Sequence, residues 1–158
     1  MLAKDGHKLY MKVWSHETLT TPPTAIVILV HGLGEHVNRY NHVAEAFVQQ
    51  GIKVAGFDQR GFGRSPGTRG DSGDKNATMN DIETLVQLQF ERGVPLFLVR
   101  LSVRAPRFFN CHLINEQYGH SMGGLNVLKF IVQRSPQNEQ EYPIAGVIAS
   151  GKKKTKKN

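Results

Sequence analysis

The sequence carries a single cysteine, Cys111, among its 158 residues. One thiol excludes an internal disulfide and offers no zinc-ligand spacing, so nothing in it points to an oxidising compartment. Long apolar runs are missing as well: none approaches the roughly 18 residues that a membrane helix needs. The opening MLAKDGHKLYMKVW has no apolar stretch of the kind a secretory signal carries. The expectation is a cytoplasmic chain, with at most peripheral contact to a membrane or lipid droplet. Internal repeats are absent too, and this length leaves room for one hydrophobic core rather than two.

Acidic residues are the scarcer charge, 13 against 20 lysines and arginines, for a net charge of +7. Such a balance suggests nucleic acid until the charges are located. Five lysines fall in the last seven residues, KKKTKKN, and the stretch 99–117 adds Arg100, Arg104 and Arg107 against Glu116. The remainder is neutral. Residues 151–158 therefore read as a disordered polybasic tail, able to touch anionic surfaces but no specific nucleic-acid site.

Between these features the hydrophobic pattern alternates in period. HKLYMKVW alternates like a strand, and AIVILV is a continuous β-branched run of the kind buried on both faces. Helical spacing of Val43, Ala44, Phe47 and Val48 predicts a helix over 39–50, stopped by Gly51. IKVAGFD is a second short strand, followed by a polar, glycine-rich surface loop. A helix from Asn80 or Asp81 carries Ile82, Leu85, Val86 and Phe90 and ends at Gly93 before Pro95. PLFL is another buried run. GGLNVLKFIVQRS is a third helix, terminated by Pro136, and IAGVIAS a further buried strand beyond a polar linker holding Glu139 and Glu141. Buried strands alternating with amphipathic helices imply crossovers and a mostly parallel α/β sheet.

Two motifs carry chemistry. GHSMGG, Gly119 to Gly124, fits GxSxG at a helix entrance, where a sharp turn exposes a serine and where Gly119, Gly123 and Gly124 keep side chains out of the way. His120 belongs to the same turn. Ser121 is the candidate nucleophile, beside free helix amides that favour an oxyanion. HGLGEH, His31 to His36, follows the first buried strand, where an acyl hydrolase needs a loop donating an N–H to the carbonyl oxygen. Leu33 would supply that donor and Met122 the second, with His31, Gly32 and Gly34 shaping the turn.

HGLGEHVNRYNHVAEAF, FDQRGFGRSPGTRGD and GHSMGG together resemble the α/β-hydrolase fold. The likeness is to its monoacylglycerol lipase and lysophospholipase group, also described as serine aminopeptidase-like hydrolases. The resemblance implies hydrolysis of a lipid ester, monoacylglycerol or lysophospholipid, through an acyl-enzyme on Ser121, with no metal and no cofactor. It assigns Asp58, Gly61, Gly63 and Ser65 to a structural loop after a strand. It also implies an acid and a histidine after the serine, yet the 37 residues beyond Ser121 contain no histidine and no aspartate. The expected architecture is an incomplete α/β-hydrolase domain over residues 1–150, without its last strands and cap, inactive or crippled in this form. A non-catalytic fragment that binds lipid or a partner is the alternative, and a basic binder acting through the lysine tail a lesser one.

Residues 99–117 interrupt the pattern. Deleting them leaves VPLFLYGHSMGG, a strand running straight into its nucleophile turn, and their ends suit intron borders. The segment and the tail are both expected to be translated intron.

Overall fold

AIVILV has no polar position to turn toward water, so as a strand it must be covered on both faces. In the computed structural model, which describes residues 1–16, 21–74, 76–100 and 122–149 (side chains of 122–125 and 149 excepted), this run forms β2 (Ala25–Val30). It lies at the centre of a five-stranded sheet of order β1-β3-β2-β4-β5. Here β1 (Met11–Trp14) is antiparallel to β3 (Ile52–Phe57), while β2, β3, β4 (Leu96–Arg100) and β5 (Gly146–Ala149) run parallel. The mostly parallel, helix-flanked sheet expected from the sequence is the one that forms.

Alternate residues of a strand point to opposite faces, and β2 divides its apolar side chains accordingly. Ile26, Ile28 and Val30 join Phe57, Leu96 and Leu98 under α2 (Ala77–Gln89) and α3 (Met122–Gln133), which contribute Ile82, Leu85, Val86, Val127 and Phe130. Val27 and Leu29 face the other way with Val54 and Val99, beneath Val37 and Tyr40 of the segment leading into α1 (Asn41–Val48) and Ala44 of that helix. Opposite faces are required because the chain steps from β2 to β3 in one direction and from β3 past β2 to β4 in the other. Right-handed crossovers then place α1 and α2 on opposite sides.

The structure departs from the sequence pattern at several element ends. A 3-10 turn, Val37–Tyr40, precedes α1, so the helix is shorter than 39–50. Helix α2 begins at Ala77, a turn ahead of Asn80. Pro136 ends α3 but also opens α4 (Pro136–Glu141), since proline at a first helical position forgoes only an N–H that has no partner there. Ser135 caps this helix, accepting from the Asn138 N–H at 3.2 Å, so Glu139 and Glu141 stand on a helix rather than in a linker. Strand β4 runs on through Val99 and Arg100, which pair with Leu29 and Val30 on one side and Ile148 and Ala149 on the other. The segment 99–117 thus begins inside the sheet. Residues 101–121 and the end of the chain, 150–158, lie outside the described residues. Within IAGVIAS, Gly146–Ala149 form β5, which among the described residues pairs with β4 alone, as a last strand without its next neighbour should, and Ile148 is 53% exposed. Among the described residues no helix is long and apolar enough to cross a membrane.

Candidate active site

Because β3 and β4 flank β2 and are reached in opposite directions, the carboxyl end of β2 is the switch point of the sheet, the place where ligand sites form in open α/β sheets. The loop at that point is His31–Gly34. Its neighbour is the loop that follows β3 from Asp58.

His31 is fully buried, and both of its ring nitrogens are engaged. The backbone N–H of Gln59 donates to Nε2 at 2.9 Å, which requires that nitrogen to be unprotonated. The neutral ring therefore carries its proton on Nδ1, which donates to the Gly32 carbonyl at 2.8 Å. Burial pushes the imidazole below its usual pKa, opposed by the Gly32 hydrogen bond and by the Asp58 and Glu35 carboxylates. Phe62 closes over the ring edge-on, with centroids 6.0 Å apart. A ring so occupied has no nitrogen left to deprotonate a serine.

The peptide between His31 and Gly32 is held at both ends. The side-chain amide of Gln59 donates to the His31 carbonyl at 2.7 Å. From the other side Glu35 Oε2 accepts the Gly32 N–H at 2.9 Å and also accepts from the Tyr40 hydroxyl. Glu35 and Gln59 are themselves buried. Gly32 leaves little room for a side chain, since a Cβ would stand 3.0 Å from Glu35 Oε2, tight enough to press on the carboxylate that holds this peptide.

The second loop is organised on Asp58. Its Oδ1 accepts the Val37 N–H at 2.6 Å and its Oδ2 the Arg64 N–H at 2.8 Å, tying the loop after β3 to the turn before α1. Ser65 donates to the Asp58 carbonyl and accepts the Tyr10 N–H at 3.0 Å. Gly63 has φ +52°, and a Cβ there would meet Asp58 Oδ2 at 2.1 Å, so the turn tolerates no side chain. Beyond it Arg60 reaches Asp81 on α2 through Nε and Nη2, both at 2.8 Å, and Asp5 through Nη1 at 2.6 Å.

The structure therefore brings His31, Gly32, Leu33 and Gly34 together with Asp58, Gly61, Gly63 and Ser65. Gly119, His120 and Ser121 lie outside the described residues. Met122 is the first residue of α3, where helix amides have no internal partner, and Gly123 and Gly124 follow in the same turn. Two buried polar residues of the site, Glu35 and Gln59, were not singled out from the sequence. Glu35 had a local signal, an acid three residues after Gly32, as in a capping turn. Gln59 had none, because its partner lies 28 residues away in the chain. Among the described residues no cluster of histidine, cysteine and acids could hold a metal ion.

Residues 21–103 match the profile of the serine aminopeptidase S33 family. A putative monoglyceride lipase of Schizosaccharomyces pombe is 32% identical over 145 residues, covering 89% of this chain and 32% of that protein. The monoacylglycerol lipase of Mycolicibacterium smegmatis is 40% identical over 119 residues, covering 75% of this chain and 35% of its own length. Among solved structures, a soluble variant of the Saccharomyces cerevisiae monoglyceride lipase, in complex with a substrate analogue, aligns with a TM-score of 0.66 at 26% identity. That alignment covers 90% of this chain and 41% of the solved one. The chain thus spans about a third of the length of the two lipases matched by sequence.

Proposed function

The chain belongs to the serine aminopeptidase S33 family of hydrolases, and on that premise we propose that it is part of a carboxylic ester hydrolase of the monoglyceride lipase or lysophospholipase type. Ser121 is the nucleophile, and the backbone N–H groups of Leu33 and Met122 form the oxyanion hole. The observation that carries this reading is the pinned His31–Leu33 loop at the carboxyl end of the central strand, the end at which the parallel β4 also finishes. A lipid ester such as a monoacylglycerol or a lysophospholipid is the substrate class, supported by the relatives named above.

In this mechanism the Ser121 hydroxyl adds to the ester carbonyl, and negative charge collects on the former carbonyl oxygen. The Leu33 and Met122 amides stabilise that charge more strongly than they do the neutral ground state, which is what lowers the barrier. Collapse expels the alcohol and leaves an acyl-enzyme, which water hydrolyses. Serine needs a base to surrender its proton. His31 is committed to Gln59 and Gly32, and no histidine follows Ser121 in these 158 residues. By themselves they should react slowly, on the residual catalysis that an oxyanion hole retains without its triad partners.

A fluorophosphonate probe tests this. Slow labelling of the 158-residue chain that disappears in Ser121→Ala is the expected result. Labelling indifferent to that substitution, or none at all, would favour a non-catalytic module that binds lipid or a partner.

A further inference from the structure

We propose that Gln59 is a positioning residue for the oxyanion hole, acting with Glu35 and through His31 to set the direction of the Leu33 N–H. This rests on the assignment of Leu33 as an oxyanion donor. A trans peptide is planar, so its N–H points opposite to its C=O, and whatever holds the carbonyl aims the amide. The Leu33 N–H shares its peptide with the Gly32 carbonyl. That carbonyl is held by His31 Nδ1 at 2.8 Å and by the Glu35 N–H at 3.3 Å. The preceding peptide is clamped by the Gln59 side-chain amide on its oxygen at 2.7 Å and by Glu35 Oε2 on its nitrogen at 2.9 Å. Two consecutive peptide planes, the donor's own and the one before it, are therefore held, the first by His31 and the Glu35 N–H and the second by the Gln59 and Glu35 side chains.

Gln59 enters this arrangement twice. Its backbone N–H occupies His31 Nε2 and so forces the ring proton onto Nδ1, the tautomer able to donate to Gly32. Its side chain then holds the carbonyl of the same histidine. A ring protonated on Nε2 instead would lose the Gln59 hydrogen bond and turn a lone pair toward the Gly32 oxygen, leaving that peptide free to rotate. Preorganised donors stabilise a transition state because they need not reorient as charge develops, so a loosened Leu33 amide costs rate rather than substrate affinity.

The test compares the 158-residue chain with Gln59→Leu and Leu33→Pro in hydrolysis of a p-nitrophenyl ester, with melting temperatures measured alongside. Leucine matches glutamine in bulk without donating, and proline deletes the amide itself. Gln59→Leu is expected to lower kcat and kcat/KM together by roughly tenfold, less than the 10²–10³ that loss of an oxyanion donor costs. KM should hold. Hydrogen exchange supplies a readout that needs no turnover: the Gly32 amide should exchange at least about tenfold faster in Gln59→Leu, while that of Ile28 in the sheet core stays protected. Turnover indifferent to Leu33→Pro would sink the oxyanion assignment. A loss in Leu33→Pro with unchanged kcat in Gln59→Leu, or unchanged Gly32 exchange, would overturn the role of Gln59 alone.

Discussion

His31 shows how one residue type can be excluded from one role by the bonds that fit it for another. Buried among Gln59, Gly32 and Phe62, it holds the neutral form in the folded chain, and its pKa is lowered chiefly by burial. The unfolded histidine takes up a proton near its ordinary value of about 6.5. Below that pH the unfolded state binds more protons than the native state, so stability falls as pH drops through about 6.5 toward the lower native value. Asp5 adds a second acid-side loss: Arg60, and then the His7 N–H, hold its carboxyl at about 2. Its contribution is present above the unfolded value and fades as pH falls from about 4 to about 2. Urea midpoints should decline between about pH 7 and 5, and that slope should flatten in His31→Phe even though the variant is weaker at every pH. An unchanged slope would show that His31 titrates as freely folded as unfolded. HGLGEH marked His31 as a turn residue, but its tautomer depends on Gln59, which comes close only when β2 and β3 pair.

At the scale of elements, the clasp between α2 and α3 is the feature the sequence pattern did not show. Arg134, just beyond α3, meets Glu83 of α2 with Nε to Oε2 at 2.9 Å and Nη2 to Oε1 at 3.0 Å, both side chains buried. Bidentate geometry gives each carboxylate oxygen a charged donor, and removing either partner leaves the other charge buried without it. Glu83→Ala should cost about 3–5 kcal/mol in denaturant unfolding, whereas a double replacement by apolar residues of similar volume should lie near neutral. A cost below about 1 kcal/mol for the single variant would mean that the pair is solvated and contributes as surface pairs do. The apolar stripe of α2 was legible because Ile82, Leu85 and Val86 recur at helical spacing. Glu83 and Arg134 stand 51 residues apart, and nothing local links them. Helix α4 is a different case: its signal, Ser135 as cap followed by Pro136 at the first helical position, is local, and reading the proline only as a stop passes over it.

For the whole molecule, the sheet is sealed unevenly. Among the described residues β5 pairs with β4 alone, and Ile148, on the sheet face of Val99, is 53% exposed, while on the opposite face α3 leaves Leu128 53% and Val132 84% exposed. A strand edge left unpaired that carries an exposed apolar side chain is a template for another chain. The 158 residues should therefore self-associate at micromolar concentration, and Ile148→Lys should raise the monomer fraction in size-exclusion chromatography. A wild-type monomer with one cooperative unfolding transition would contradict this. The sequence by itself determined the family, the alternation of strands and helices, and the HGLGEH turn after the central strand, because each is written in short runs whose period or glycine placement is local. Only the tertiary structure decided that β2 is the central strand, that β4 extends into Val99 and Arg100, and that Gln59 and Glu35 grip one peptide of the candidate oxyanion loop. Those facts rest on contacts between residues distant in the chain, which no local pattern encodes.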